Sequence, residues 1–182
     1  MHEDDYGVLE QVDDRVSLRF IRRLRQAPLT VWRALTEPDD LAVWFPTTID
    51  GDRRAGARLR FSHRDNAAPP FDGEMLAYEP TSLIELRWGE EILRFELEPD
   101  GAGGTVLTFT DTFAEVGKAA RDGAGWHACL DLLALVAGGK SAPWSPGERW
   151  RQLIGDYRER LGAEASTIGP PTGRSRRGGA GR

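Results

Sequence analysis

The stretch GAGWHACLDLLALVAGG, residues 123–139, sets the strongest limit on how this chain can fold. At helical period, Trp126, Leu130, Leu133 and Ala137 form one stripe, flanked by Cys129, Ala134 and Val136. Only His127, Asp131 and the terminal glycines fall outside the apolar set. A helix with so wide a stripe needs cover on more than one side, and the rest of the chain has to provide a broad dry surface for it.

That surface is legible between residues 16 and 113. Val16, Leu18, Phe20 and Leu24 alternate with Ser17, Arg19, Arg23 and Arg25, as in a half-buried strand, and Arg22 interrupts the apolar side. Pro28 can open a helix in which Leu29, Trp32 and Leu35 follow at helical spacing. Glu37-Pro38 stops it, and a second short helix, DDLAVWF, ends at Pro46. From about 47 to 113 the chain reads as strands separated by turn chemistry, closing with a hairpin whose connection is PDGAGG. In that hairpin Leu93, Phe95 and Leu97 alternate with Arg94, Glu96 and Glu98, and Leu107 and Phe109 with Thr108 and Thr110. Such a pattern is an antiparallel sheet with one dry face. A run of strands followed by long helices predicts an α+β fold with the late helix laid across the sheet. Past SAPWSPG, Trp150, Leu153, Ile154, Tyr157 and Leu161 mark one face of a last amphipathic helix. The expected organisation is a flexible acidic lead-in over 1–15, one domain over 16–162, and a disordered Gly/Pro/Arg tail over 163–182.

Composition narrows the classes of function. At 182 residues the chain suffices for one domain with a substantial core. A net charge of -5 argues against a chain-wide hold on nucleic acid, leaving at most weak binding through the four arginines of GRSRRGGAGR. No apolar run approaches the roughly 20 residues of a membrane span. The single Cys permits neither an internal disulfide nor a multi-cysteine metal site, and with the acidic start it fits a cytoplasmic home. No Gly-x-Ser-x-Gly elbow or phosphate loop occurs, and the glycines at 101–104 lack dinucleotide-loop spacing.

Two arrangements of helix and sheet bury the same side chains: a solid core, or a bent sheet that stands away from the helix around an apolar cavity. The segment RFIRRLRQAPLTVWRALTEPDDLAVWFP, followed in order by AGARLRF, DGEMLAYEP, LIELRWG, LEPDGAGGTVLTFT and GWHACLDLL, resembles the START-like (SRPBCC) superfamily. The branch it resembles is the bacterial one homologous to the C-terminal domain of heat-shock protein 90 ATPase activators. The resemblance spans about 16–162 and implies a helix-grip fold: a curved antiparallel sheet wrapped around a long C-terminal helix, with two short helices after the first strand. It also implies a cytoplasmic bacterial protein, monomeric or homodimeric, that binds a small apolar or amphipathic ligand between sheet and helix, with no cofactor and no metal. A cyclase- or hydrolase-type enzyme and a protein-interaction or chaperone-associated module are the alternatives.

The residues expected to line such a cavity are Phe20, Arg22, Phe61, Met75, Trp88, Phe95, Phe109, Trp126 and Leu130. Arg22, a cation where the alternation asks for an apolar group, either clamps an anionic ligand, or pairs with an internal Glu or reaches the rim. His127 and Asp131 stand four apart on one helix, so that the carboxylate can orient the imidazole and raise its pKa for general-base work; the same spacing describes a hydrogen-bonded pair at the helix edge. Two ligands at that spacing do not make a zinc site. Cys129 reads as a small buried apolar group.

Overall fold

The alternating segments become one antiparallel sheet of eight strands, seen in a computed structural model that describes residues 5–64, 66 and 68–170. In chain order these are β1 (Val8–Val12), β2 (Arg15–Leu24), α1 (Pro28–Thr36), α2 (Pro38–Trp44), β3 (Thr47–Asp50), β4 (Arg58–His63), β5 (Phe71–Glu79) and β6 (Leu83–Trp88). Then follow β7 (Glu91–Pro99), β8 (Thr105–Phe113), α3 (Ala119–Ala137) and α4 (Pro146–Leu161). The sheet order is β1-β2-β8-β7-β6-β5-β4-β3, so the two short helices are the crossover from β2 to the far edge.

Register settles which faces coincide. Phe20 is opposite Phe109 and Phe109 opposite Phe95; Leu18 is opposite Asp111, Asp111 opposite Leu93, Leu93 opposite Leu86, and Leu86 opposite Met75. These rows lie on the inner face, and their side chains are almost fully buried. The outer face carries cross-strand ion pairs such as Arg19–Glu10 at 2.7 Å and Arg94–Glu85 at 2.8 Å, a solvated ladder. A shift of register in β5 between Met75 and Ala77 adds a residue to one strand, which bends the sheet over the helix.

The gripped helix is α3, as its composition requires: the sheet covers one flank, α1 and α2 the next, and α4 the third. A capping box starts α4, in which Ser145 accepts from the Glu148 amide while the Glu148 carboxylate accepts from the Ser145 backbone N–H at 2.7 Å. Leu153 and Tyr157 of α4 are wholly buried against α3. The close approach depends on Gly123, where an added Cβ would lie 2.8 Å from the Tyr157 ring. Gly123→Ala is therefore expected to destabilise the fold by about 1–3 kcal/mol through overpacking, although alanine is the better helix former. Urea denaturation of the variant measures this.

Both ends are more structured than the composition of those segments foretold. Within the expected lead-in, β1 pairs with β2 from Val8↔Arg19 to Val12↔Arg15. Tyr6 is buried with its ring 5.0 Å from that of His127 and 5.2 Å from that of Tyr157. Apolar residues placed among the acids supply that anchorage. Of the expected tail, residues 163–170 fold back: Ala165 is buried in a single 3-10 turn, and the Ile168 amide donates to the Gly117 carbonyl at 2.9 Å. The arginines of GRSRRGGAGR lie outside the described residues.

Candidate functional site

Two places on the inner face carry features a packed core alone does not require. The first is an apolar crevice under α1 and α2. Leu35, Leu41, Trp44 and Phe45 form its helical wall, and Met75, Tyr78, Ile84, Leu86 and Phe95 its sheet wall. Its free volume is about 20 Å³, the room of a single water. Trp44 is held by its indole N–H, which donates to the Ala34 carbonyl at 2.8 Å. Arg64 donates to the carbonyls of Leu41 and Thr47 at 3.2 and 3.1 Å, tying the middle of α2 to β3.

From the crevice a chain of rings runs inward. Phe45 lies 6.0 Å from Trp126 between centroids, and Trp126 lies 5.8 Å from Trp88 and 4.8 Å from Phe109. Phe109 meets Phe95 at 4.6 Å. These tilted and edge-on contacts fill the space between sheet and α3. The expected lining residues Trp88, Phe95, Phe109 and Trp126 are thus brought together, Met75 and Phe95 reach the crevice, and Phe20 joins through Phe109 at 5.9 Å. Leu130 is buried in the core, and Phe61 stacks on Phe71 at 5.3 Å, toward the β4 side.

The floor of this ring chain holds an acid. Asp111 is fully buried; its Oδ2 accepts from the Trp126 indole N–H at 2.9 Å, and its Oδ1 has no partner among the described residues. Burial, and then the nearby Glu91 and Asp122, hold its carboxyl well above the usual range, which favours its neutral form. Glu91, on the same face of β7 as Leu93 and Phe95, is paired with Lys118, which also lies 3.6 Å from Asp122. Arg121 holds Asp122 at 2.6 Å.

The second place is a buried polar cluster at the β2 edge of α3. Arg22, 6% exposed, donates to the Asp5 carbonyl and, at 3.3 Å, to its neighbour Ile21, and lies 4.0 Å from Asp131. Asp131 is gripped by Arg149 of α4 at 2.7 Å. Arg22 thus has an internal acid as partner, Asp131 and not the expected Glu, and is not among the residues that wall the crevice. His127 is completely buried, with Nδ1 3.0 Å from the Tyr157 hydroxyl and Nε2 3.6 Å from Asp131 Oδ1. The Tyr157 oxygen also accepts from the Gly7 amide at 2.9 Å, and the tautomer of His127 sets whether its hydroxyl donates to Nδ1 or accepts from it. The imidazole expected to be a base of raised pKa is the reverse. Burial first, then the positive charges of Arg22, Arg149 and Arg160, push it down to about 3. Burial likewise pushes the Cys129 thiol up to about 12, removing thiolate chemistry at neutral pH. No group of three or more metal-binding side chains occurs among the described residues.

Sequence reasoning missed Phe45, Trp44 and Asp111. For Asp111 the signal was present: in TVLTFTDTF it shares the parity of Leu107, Phe109 and Phe113, an acid in an apolar row, as Arg22 is in β2.

The family model of activator of Hsp90 ATPase homolog 1-like proteins matches residues 26–138, well over half of the chain. The chain belongs to this family. Its structure is similar to that of EF2215 from Enterococcus faecalis, a conserved protein of unknown function, with 23% identity, 85% of this chain and 90% of that one covered, and a TM-score of 0.70. CalU16 from Micromonospora echinospora is similar at 21% identity, covering 85% and 96%, with a TM-score of 0.65. The protein encoded by BPP1335 of Bordetella parapertussis is similar at 27% identity, covering 86% and 91%, with a TM-score of 0.65. Among curated proteins none matches. The eight-stranded sheet around α3, with α1 and α2 after β2, is the family's helix-grip architecture. Among the described residues no helix is long and apolar enough to cross a membrane.

Proposed function

We propose that the chain binds a small, largely apolar molecule between the sheet and α3, admitted at the crevice under α1 and α2. The observation that supports this most is the crevice itself, walled by Leu35, Trp44, Phe45, Met75 and Phe95 and joined to Trp126 through Phe45. A volume of about 20 Å³ admits no organic guest, so binding requires Phe45 and Trp44 to move outward with α2. That helix has only seven residues, with the Trp44 indole bonded to Ala34 and the Leu41 carbonyl to Arg64. Two pieces of apolar surface, Leu29 at 61% exposure and Val43 at 54%, lie on α1 and α2.

Native mass spectrometry of freshly purified protein tests for a co-purified molecule, and equilibrium dialysis against naphthalene tests the apolar character of the site. The expected result is one equivalent of naphthalene bound, with quenching of tryptophan fluorescence. Phe45→Ala enlarges the space beside Trp126 and is expected to tighten naphthalene binding several-fold, since the ring no longer has to be displaced. Absence of any bound molecule together with no naphthalene binding by either protein would sink the carrier reading. Catalysis through His127 draws no support from the geometry: a base held at about 3 and enclosed by Tyr6, Tyr157 and Arg22 meets no substrate.

A further inference from the structure

The inner face of the sheet is apolar along the row Leu18, Leu93, Leu86 and Met75 except at one position, Asp111, which sits between Leu18 and Leu93. An aliphatic side chain there would complete the row and spare the cost of burying a carboxyl group. Its Oδ2 is used by the Trp126 indole, but Oδ1 has no partner among the described residues and is sealed from solvent. A buried polar atom left unsatisfied costs about 1–3 kcal/mol, so a carboxyl group in this otherwise aliphatic row calls for a role. Trp126, which covers it, is also the ring that links Phe45 and the crevice to the sheet.

We propose that Asp111 is the polar anchor of the ligand site: when Phe45 lifts and Trp126 turns aside, Oδ1 meets a hydroxyl or carbonyl oxygen on a neutral, otherwise apolar guest. This rests on the ligand-binding reading above and specifies its ligand class. The sign of the charge nearby excludes an anion. Glu91 faces inward on the adjoining row and Asp122 stands behind it, and their counter-ions, Lys118 and Arg121, are already engaged by them. Arg22, the cation that would otherwise attract a carboxylate, is engaged by Asp131 and the Asp5 carbonyl. The anchor is therefore a hydrogen-bonding group rather than a charge, and it rewards one oxygen at one depth.

The test compares 1-naphthol, naphthalene and 1-naphthoate by equilibrium dialysis with wild type, Asp111→Asn and Asp111→Leu. For wild type, 1-naphthol is expected to bind about tenfold more tightly than naphthalene, the worth of one buried hydrogen bond, and 1-naphthoate not measurably. Asp111→Leu should bring the ratio of the two neutral compounds to about one, whereas Asp111→Asn, which can still accept from Trp126 and donate to the guest, should keep most of it. A second measurement needs no leucine variant: in the wild-type chain, infrared difference spectra should show the protonated carboxyl C=O band shifting with 1-naphthol and not with naphthalene, and Asp111→Asn should lack it. An unchanged ratio in Asp111→Leu, or no such band, overturns the anchor while leaving the carrier reading intact. If neither neutral compound binds wild type, the carrier reading falls and the anchor with it.

Discussion

Asp131→Ala is expected to destabilise the protein by about 3–5 kcal/mol, more than its partly exposed position on the helix edge would suggest. The carboxylate stands between Arg149 at 2.7 Å and Arg22 at 4.0 Å, with His127 Nε2 at 3.6 Å from the same group. Arg22 is almost without solvent; its hydrogen-bond acceptors are the backbone carbonyls of Asp5 and Ile21, and of the acids that favour its charge Asp131 is the larger influence and Asp5 the smaller. Taking the acid away leaves a buried positive charge, and that residual charge rather than the lost bond makes the penalty large. The companion variant makes the argument checkable. In the Asp131→Ala background, Arg22→Met removes the stranded cation and should recover at least about 1–2 kcal/mol, because apolar replacement of a whole buried ion pair is commonly neutral or stabilising whereas removal of one partner is not. Urea unfolding of the single and double variants decides it: a loss below about 1 kcal/mol, or no recovery on adding Arg22→Met, would show that water reaches the pair.

The same cluster explains why part of the molecule was readable from residue order and part was not. Period-two alternation in β2, β7 and β8 marked Val16, Leu18, Phe20, Leu93, Phe95, Leu107 and Phe109 as one kind of face, and all are buried. The breadth of the apolar stripe on α3 demanded cover on several flanks, which the sheet, α1 and α2, and α4 supply. Alternation, however, relates residues only within a strand. Whether Phe61 and Trp126 share a site depends on sheet register and on the bulge in β5, neither of which is written in a local pattern. Polar residues within apolar rows were the better guides to chemistry, yet they name a position and not a partner. Arg22 broke the pattern of β2, but its acid lies more than 100 residues on, in α3, and its second contact is the backbone of Asp5 in a segment whose acidic composition suggested no structure. The edge position expected of His127 failed for a similar reason: α4, which encloses it with Tyr157, lies beyond any window in which the helix face can be judged.

The stability of the fold should fall on mild acidification, and His127 should be the cause. With its native pKa near 3 against an ordinary value of 6.5, His127 is neutral in the native state throughout the interval in which the unfolded chain binds a proton there. Its contribution is complete above pH 6.5 and is lost as pH falls toward 3. Each unit of the difference is worth about 1.4 kcal/mol, so the loss over the whole interval reaches a few kcal/mol. Every neighbouring element resists the proton: Arg22 from β2, Arg149 and Arg160 from α4, and the rings of Tyr6 and Tyr157, which exclude water; only Asp131 favours it, and that carboxylate is engaged by Arg149. Three acids oppose the trend. Asp111, Glu91 and Asp131 are all held above their ordinary values by burial, so their contributions are complete below the unfolded carboxyl pKa and fade as pH rises through their native values. They therefore strengthen the fold on acidification over part of the same window, and the wild-type curve alone mixes the two signs. His127→Gln separates them, because it deletes the histidine and keeps the acids. Between pH 7 and pH 4 the wild type should lose stability relative to the variant by about 2–4 kcal/mol, and the imidazole resonances of His127 should show no titration in the native protein above pH 4. Parallel stability curves, or a His127 resonance that moves with a midpoint near 6, would mean that the site is open to water and that Arg22 and Arg149 do not shape its electrostatics.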